Sequence, residues 1–350
     1  MPWYQRGGPG KDVFVSTRVR LARNVAGYPF GARLTDSAAK ELIERVTALF
    51  PAKEGYVTTD MQTLSPAEAG ALCEKHYISP EFAEKREPHA LIVEESKGLS
   101  VMVCEEDHLR IQALAAGFAP EECLRCAIEA EERVDNALEL AFDEKLGYLT
   151  HCPTNLGTGM RVSVMMFLPA LTMAGRMPSL SAQLQKLGLV IRGMQGEGSD
   201  TAGYLYQISN QFTLGLSEEE TVKKVSDIVR RLAENERSLR RGYDKVTLLR
   251  LADRAGRAEG TMRYARMLSS ADFLDAWAAL RLGVCLGENT SISAEELDTM
   301  IFEVMPASVT LALTDKTAGL SPELRRDVTR AAEVSRRFAE KKPQARGDDR

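Results

Sequence analysis

The sequence predicts an α+β protein, an antiparallel β-sheet flanked by helices, followed by an all-α C-terminal domain. Three observations carry that expectation. The β-rich runs before residue 240 are joined by hairpin signals and irregular loops rather than by regular strand–helix–strand units. After about Arg240 the strand signals vanish and helical periodicity alone continues. The chain of 350 residues is also long enough for about two domains with their own cores.

Residues 1–12 read as a loose lead-in to a first domain at 13–240. Val13-Phe14-Val15 is a short apolar strand delivering Arg18, Arg20 and Arg23 from its end. Thr35-Asp36-Ser37 precedes a helix with Leu42, Ile43, Val46 and Leu49 at helical spacing. Ser65-Pro66-Ala67-Glu68 is a capping box opening a helix that reaches about His76, and Ser79-Pro80-Glu81 marks a turn. Two β-rich runs, 90–93 and 99–103, flank Glu95-Ser96-Lys97-Gly98 as a hairpin. Further strands are expected at 147–150, 162–167, 189–191 and 204–208, with helices around 120–143 and 178–186.

Ser217-Glu218-Glu219-Glu220 opens a helix that lines up Val222, Val225, Ile228, Val229 and Leu232. The second domain, 241–340, is helical through 243–285, again from the capping box Ser293-Ala294-Glu295-Glu296, and finally after Ser321-Pro322-Glu323. The polar tail, 341–350, reads as flexible.

Composition narrows the function. A net charge of -5 gives no global basic field for nucleic acid or an anionic membrane. No apolar run is long enough to span a bilayer, and the N-terminus lacks a signal-peptide core. The six cysteines are scattered, and the one C-x-x-C pair, Cys123 and Cys126, has no second Cys/His pair at zinc-finger spacing. A cytoplasmic protein fits these features best.

The chemistry centres on His151-Cys152-Pro153-Thr154-Asn155-Leu156-Gly157-Thr158-Gly159-Met160-Arg161. Gly157 and Gly159 would let main-chain N–H groups approach an anion, and Arg161 adds a fixed positive charge. It is neither a Walker A loop nor a dinucleotide fingerprint, because no Gly-Lys-Ser/Thr follows and the third glycine is missing.

Three other segments accompany this loop: Ser16-Thr17-Arg18-Val19-Arg20, Glu105-Glu106-Asp107-His108-Leu109-Arg110, and Arg192-Gly193-Met194-Gln195-Gly196-Glu197. The four motifs, in this order, resemble those of the phosphagen (guanidino) kinases. That resemblance implies an antiparallel catalytic domain that binds ATP with Mg²⁺ and phosphorylates a guanidinium. It places Arg18, Arg20, Arg110, Arg161 and Arg192 around the nucleotide phosphates, with Ser16, Thr17, Val19, Val162, Ser163, Val164, Met165, Gly193, Met194, Gln195, Gly196 and Glu197 completing the ATP site. His76 resembles the histidine near the adenine. Glu106 and Glu197 match the two substrate-binding glutamates, and Cys152 matches the reactive cysteine. Glu105 and Asp107 are supporting neighbours, and His108 and His151 are structural. No protein metal site is implied.

The residue types suit the reaction. Arginine offers a planar, permanently charged fork to phosphate. A guanidinium has a pKa above about 12 and must be oriented and relieved of a proton before its nitrogen attacks. Two carboxylates grip and deprotonate it, and a thiolate adds electrostatic stabilisation.

Two departures narrow the resemblance. Only 15 residues precede Ser16, where creatine and arginine kinases carry a helical domain, and Gly198-Ser199-Asp200 follows Glu197. Both features, with the appended helical domain, resemble the bacterial protein-arginine kinases of the McsB type. Arg326-Asp327-Val328-Thr329-Arg330-Ala331 fits their R-D-x-x-R-A motif, so Arg326, Asp327, Arg330 and Ala331 are expected to form an allosteric phosphoarginine pocket. Cys104 replaces the usual Asn before Glu105. The implied partners are arginine-bearing proteins, among them a CtsR-like repressor and misfolded chains. An McsA-like activator, the Clp protease machinery and a homodimer or larger assembly complete the set. The alternatives are a free-arginine or other small-guanidine kinase and an inactive phosphoarginine-binding adaptor. A nucleic-acid binder ranks below both.

Overall fold

The computed structural model describes residues 1–193, 202–288, 290–314 and 317–339. In chain order its elements are β1 (Phe14–Arg23), α1 (Asp36–Ala48), β2 (Val57–Asp60), α2 (Pro66–Glu74), α3 (Pro80–Glu84), β3 (Ala90–Glu94), β4 (Leu99–Val103) and β5 (Leu109–Ala116). Next come α4 (Pro120–Leu138), β6 (Phe142–Asp143), β7 (Gly147–Tyr148), β8 (Met160–Phe167), α5 (Pro169–Met173), α6 (Met177–Lys186), β9 (Leu189–Gly193) and β10 (Leu205–Asn210). Helices α7 (Glu218–Arg241), α8 (Lys245–Tyr264), α9 (Ser270–Cys285), α10 (Ala294–Glu303), α11 (Pro306–Leu311) and α12 (Pro322–Ala339) complete the described chain.

Eight strands form one antiparallel sheet in the order β2-β3-β4-β5-β1-β8-β10-β9, so the predicted class is the observed one. Alternation along each strand sends side chains to opposite faces. One face buries Val19, Leu21, Ile111, Val162, Val164 and Ile208 against α1, α4, α6 and α7. The other carries Leu114, Met165, Phe167 and Leu205 into a second core with α8–α12. The C-terminal helices therefore cover part of the sheet itself. The capping boxes at Ser65, Ser217 and Ser293 form as their sequences require, each side chain accepting the N–H three residues on.

Several local expectations change. The arginines near the N-terminus do not hang from a strand end, because β1 runs ten residues and carries Arg18, Arg20 and Arg23 within it. The lead-in is not loose. Trp3 is 1% exposed, its ring meets Phe302 at 4.9 Å, and its indole N–H donates to the Lys75 carbonyl at 3.2 Å. An aromatic pair near the terminus is buried because α10 covers it. Ser79-Pro80-Glu81 starts the short helix α3, with the Ser79 hydroxyl as its N-cap. Strand 147–150 shrinks to a two-residue ribbon partner of β6. Cys123 and Cys126 lie on α4 as unbonded thiols whose pKa values burial raises.

Candidate active site

Strand register alone assembles the arginines. Arg20 faces Arg161 across β1 and β8, and Gln112 across β1 and β5. Arg110 lies two residues from Gln112, and Arg18 two residues from Arg20, so all share one face. On the other side Met165 faces Gln207, which faces Arg192. Five arginines far apart in sequence thus stand on one face of five adjacent strands. The same alternation turns the side chains of part of the predicted ATP set away from the arginines. Thr17, Val19, Val162 and Val164 point to the opposite, helix-packed face and are fully buried there. The Thr17 hydroxyl is spent structurally, donating to the Gly117 carbonyl at 2.7 Å and accepting the Ala119 N–H before α4. Ser16 and Ser163 share the arginine face but are buried beneath it.

A cleft of about 1250 Å³ opens on that face, lined among others by Arg18, Arg20, His76, Glu106, Arg110 and Gly193. Carboxylates line the rest of the cleft, Glu81, Glu84 and Glu87 among them, but the arginine face itself is poorly balanced. Among the described residues no carboxylate pairs with Arg18, Arg20 or Arg161, and the Arg18 Nε is buried without a partner. Burial first, then repulsion from Arg110 and Arg161, pulls the Arg18 pKa down to about 10. Burial and its arginine neighbours lower Arg20 and Arg161 as well. Guanidiniums gathered this closely are a built receptor for a polyanion. Arg110 is paired: its Nη1 meets Glu105 at 2.6 Å, and its Nη2 lies 3.8 Å from Glu106.

His76 lines the cleft at φ 62, left-handed for a residue with a side chain. Its ring stacks on Trp3 at 6.4 Å and meets the edge of Phe302 at 5.4 Å. Burial and the charges of Arg18 and Arg20 hold its pKa down to about 3, so it is neutral at working pH. The C-terminal helices therefore support the His76 side of the cleft.

Glu106 stands on the β4–β5 loop. Glu105, one residue earlier, is tethered by the Ser79 hydroxyl at 2.8 Å, and Lys85 donates to the Cys104 and Glu105 carbonyls. Cys104 adopts φ 63, a region asparagine tolerates better than cysteine, and its thiol pKa is raised to about 11 by burial. Asp107, a supporting neighbour on the sequence reading, ties two loops together. Its Oδ1 accepts the Asn24 amide at 2.7 Å and the His151 N–H at 2.6 Å. Asn24 carries no motif; its one signal is an amide closing the Arg18–Arg23 run.

Cys152 caps a 3-10 turn, its Sγ 3.0 Å from the Thr154 hydroxyl. Two of the main-chain donors after it are spent within the fold. The Gly157 N–H donates to the Leu146 carbonyl and the Thr158 N–H to Thr213, both at 2.9 Å. A Cβ on Gly157 would sit 2.4 Å from the Thr213 oxygen, and one on Gly159 2.7 Å from the Ala22 oxygen. The glycines serve backbone packing, and Arg23 secures it by donating to the Thr158 carbonyl at 2.8 Å. Met194, Gln195, Gly196 and Glu197 lie outside the described residues, as do Gly198-Ser199-Asp200 and the tail 341–350.

The C-terminal motif is only half available. Arg330 is 1% exposed; its Nε and Nη1 donate to the Val304 and Leu268 carbonyls at 2.8 and 2.7 Å, and Nη1 also meets Asp327 at 2.8 Å. Ala331 is buried. Of the residues expected to form the pocket, Arg326 is partly exposed, whereas Arg330 is engaged in holding α12 to the loops before α9 and α11.

The sequence model of the ATP:guanido phosphotransferase C-terminal catalytic domain matches residues 38–239, and that of the protein-arginine kinase McsB C-terminal domain matches 249–348. A protein-arginine kinase of Symbiobacterium thermophilum is 39% identical over 348 residues, 96% of each chain. One from Pelotomaculum thermopropionicum is 38% identical over 345 residues, 96% of this chain and 95% of that protein. Among solved structures, lombricine kinase superposes with a TM-score of 0.59 at 24% identity, covering 68% of this chain and 70% of its own. The substrate-free duplicated taurocyamine kinase of Schistosoma mansoni gives 0.58 at 24% identity, covering 74% of this chain and 41% of that one. These two similarities establish the fold. The chain belongs to the ATP:guanido phosphotransferase family, among its protein-arginine kinases.

Proposed function

We propose that the cleft binds ATP with its phosphates on the five-arginine face and transfers the γ-phosphoryl group to an arginine side chain of a protein. The observation that carries this is the cluster of Arg18, Arg20 and Arg161, partly buried together without carboxylate partners among the described residues. Such a cluster is repulsive alone and is stabilised by a polyphosphate. His76 offers a ring surface where a base would lie, backed by the buried rings of Trp3 and Phe302.

On the acceptor side, Glu106 and Glu197 orient the guanidinium and take its proton as the nitrogen attacks phosphorus in line with the leaving ADP oxygen. The Cys152 thiolate adds negative charge beside the same group. Mg²⁺ would arrive on the phosphate oxygens and neutralise their charge; the described residues gather no group of three His, Cys, Asp or Glu side chains that would hold it.

The finer reading follows the resemblance. The enzyme acts in the cytoplasm during stress, modifying a CtsR-like repressor and misfolded proteins and marking them for the Clp machinery. An McsA-like activator and self-assembly support it. Phosphoarginine at Arg326 and the rim of Asp327 raises its activity, with buried Arg330 as the framework of that pocket. The test is incubation of an unfolded model protein with ATP and Mg²⁺. Acid-labile phosphate on arginine, absent in Glu106→Gln and Glu197→Ala, is the expected result. Full labelling by both variants would remove the carboxylates from the mechanism.

A further inference from the structure

We propose that Asn24 and Asp107 form a buried clamp that sets the spacing between Glu106 and Cys152. The inference rests on the reading of those two as the acceptor-side residues. Asp107 directly follows Glu106, and His151 directly precedes Cys152. The Asp107 Oδ1 accepts the His151 N–H at 2.6 Å, which joins the two loops next to their functional side chains. Among the described residues this is the direct hydrogen bond between them.

Asn24 makes the joint rigid. Its Nδ2 donates to the Asp107 Oδ1 at 2.7 Å and to the Leu149 carbonyl at 3.0 Å, and its Oδ1 accepts the His108 N–H at 2.8 Å. One amide thus holds the residue two after Glu106 and the residue three before Cys152. Asn24 is 0% and Asp107 3% exposed, so water does not replace these bonds easily and each is strong. Two bonds to a carboxylate are charge-assisted.

The far end of the Cys152 loop has separate ties, through Gly157 to Leu146 and Thr158 to Thr213. Loss of the clamp therefore frees the end that carries the thiol and leaves the loop attached. Asn24 and Asp107 are positioning residues: they set a distance and touch no substrate. The arginine face lies on the strands and is held by sheet register, so nucleotide binding is independent of the clamp.

The test uses the full-length chain with Asn24→Ala and with Asp107→Asn, which keeps volume and removes charge. Three quantities are read: the iodoacetamide labelling rate of Cys152 by peptide mass spectrometry, kcat and KM for an arginine-bearing protein, and ADP affinity by calorimetry. A displacement of about 1 Å lowers a rate by about 100-fold. Asn24→Ala is expected to lower kcat by roughly 10- to 100-fold, shift thiol labelling severalfold, and leave ADP affinity within about twofold. Asp107→Asn moves kcat and labelling the same way by less. Wild-type labelling and kcat in both variants overturn the clamp, as does a loss of ADP affinity parallel to the loss of kcat. If Asn24→Ala does not fold, Asp107→Asn decides. A dead Glu106→Gln beside an unaffected Asn24→Ala overturns the clamp alone. An active Glu106→Gln with altered thiol labelling in Asn24→Ala overturns the acceptor reading and leaves the clamp geometry supported.

Discussion

Replacing Arg18 by Met should make the nucleotide-free protein more stable while removing nucleotide binding. Arg18 sits on β1 facing the cleft, with its Nε buried and unpartnered. Its pKa falls from the ordinary guanidinium range to about 10, by burial first and then by the charges of Arg110 and Arg161. At about 1.4 kcal/mol per pH unit, the charged form carries a penalty of about 3 kcal/mol. The sign follows from linkage. At neutral pH both folded and unfolded chains hold the proton, so the penalty is present in full below the folded pKa. It is relieved as pH rises from about 10 toward the ordinary guanidinium value. Methionine has similar reach and no charge, so Arg18→Met should gain up to about 3 kcal/mol at pH 7.5. Urea denaturation with and without ADP and Mg²⁺ reads both effects. In the wild type, ADP at about 100 times its Kd adds about 2.7 kcal/mol, and the variant should lose that increment. A destabilised variant that ADP still protects would refute the reasoning.

Other consequences are equally direct. Arg330→Ala strips two buried carbonyls and Asp327 of their partner and should lower stability by about 3 kcal/mol or more, read by denaturant midpoint; an unchanged midpoint contradicts its structural role. His76, with its pKa held down to about 3, resists protonation in the fold, so stability falls as pH drops below the unfolded value of 6.5. His76→Gln should therefore flatten the acid limb between pH 6 and 4 by about 1 kcal/mol per pH unit, measured by urea titration at each pH, and a parallel limb would count against a buried neutral imidazole. Gly157→Ala forces a Cβ to within 2.4 Å of the Thr213 carbonyl at φ 97. It should reduce kcat by tenfold or more, on the order of a displaced catalytic group, with ADP affinity retained in calorimetry.

Much of the site was legible because charged residues in motifs survive any uncertainty about strands. The five arginines, Glu106 and Cys152 could be named from the chain, and register then placed the arginines on one face. The face itself was not legible. Thr17, Val19, Val162 and Val164 belong to the same motifs, yet alternation sends them into the opposite core. Strand β5 was missed because its Leu109–Ala116 segment ends in Ala-Leu-Ala-Ala, weak in β propensity, and because its first residues were read as chemistry. The glycines of the Cys152 loop announced close approach correctly but not of what: Thr213 and Ala22 lie far off in sequence. Long-range partners were the common failure. Trp3 on Phe302, Asn24 on Asp107 and Arg330 on Val304 each depend on contacts no local pattern encodes.

The most direct test of the central claim compares kcat/KM for an unfolded arginine-bearing polypeptide with that for free arginine under saturating ATP and Mg²⁺, phosphorus NMR identifying the P–N bond. The account predicts phosphoarginine on the polypeptide, with kcat/KM at least about 100-fold above that for the free amino acid, a difference of about 2.7 kcal/mol in transition-state binding. Equal or greater efficiency on free arginine would contradict it.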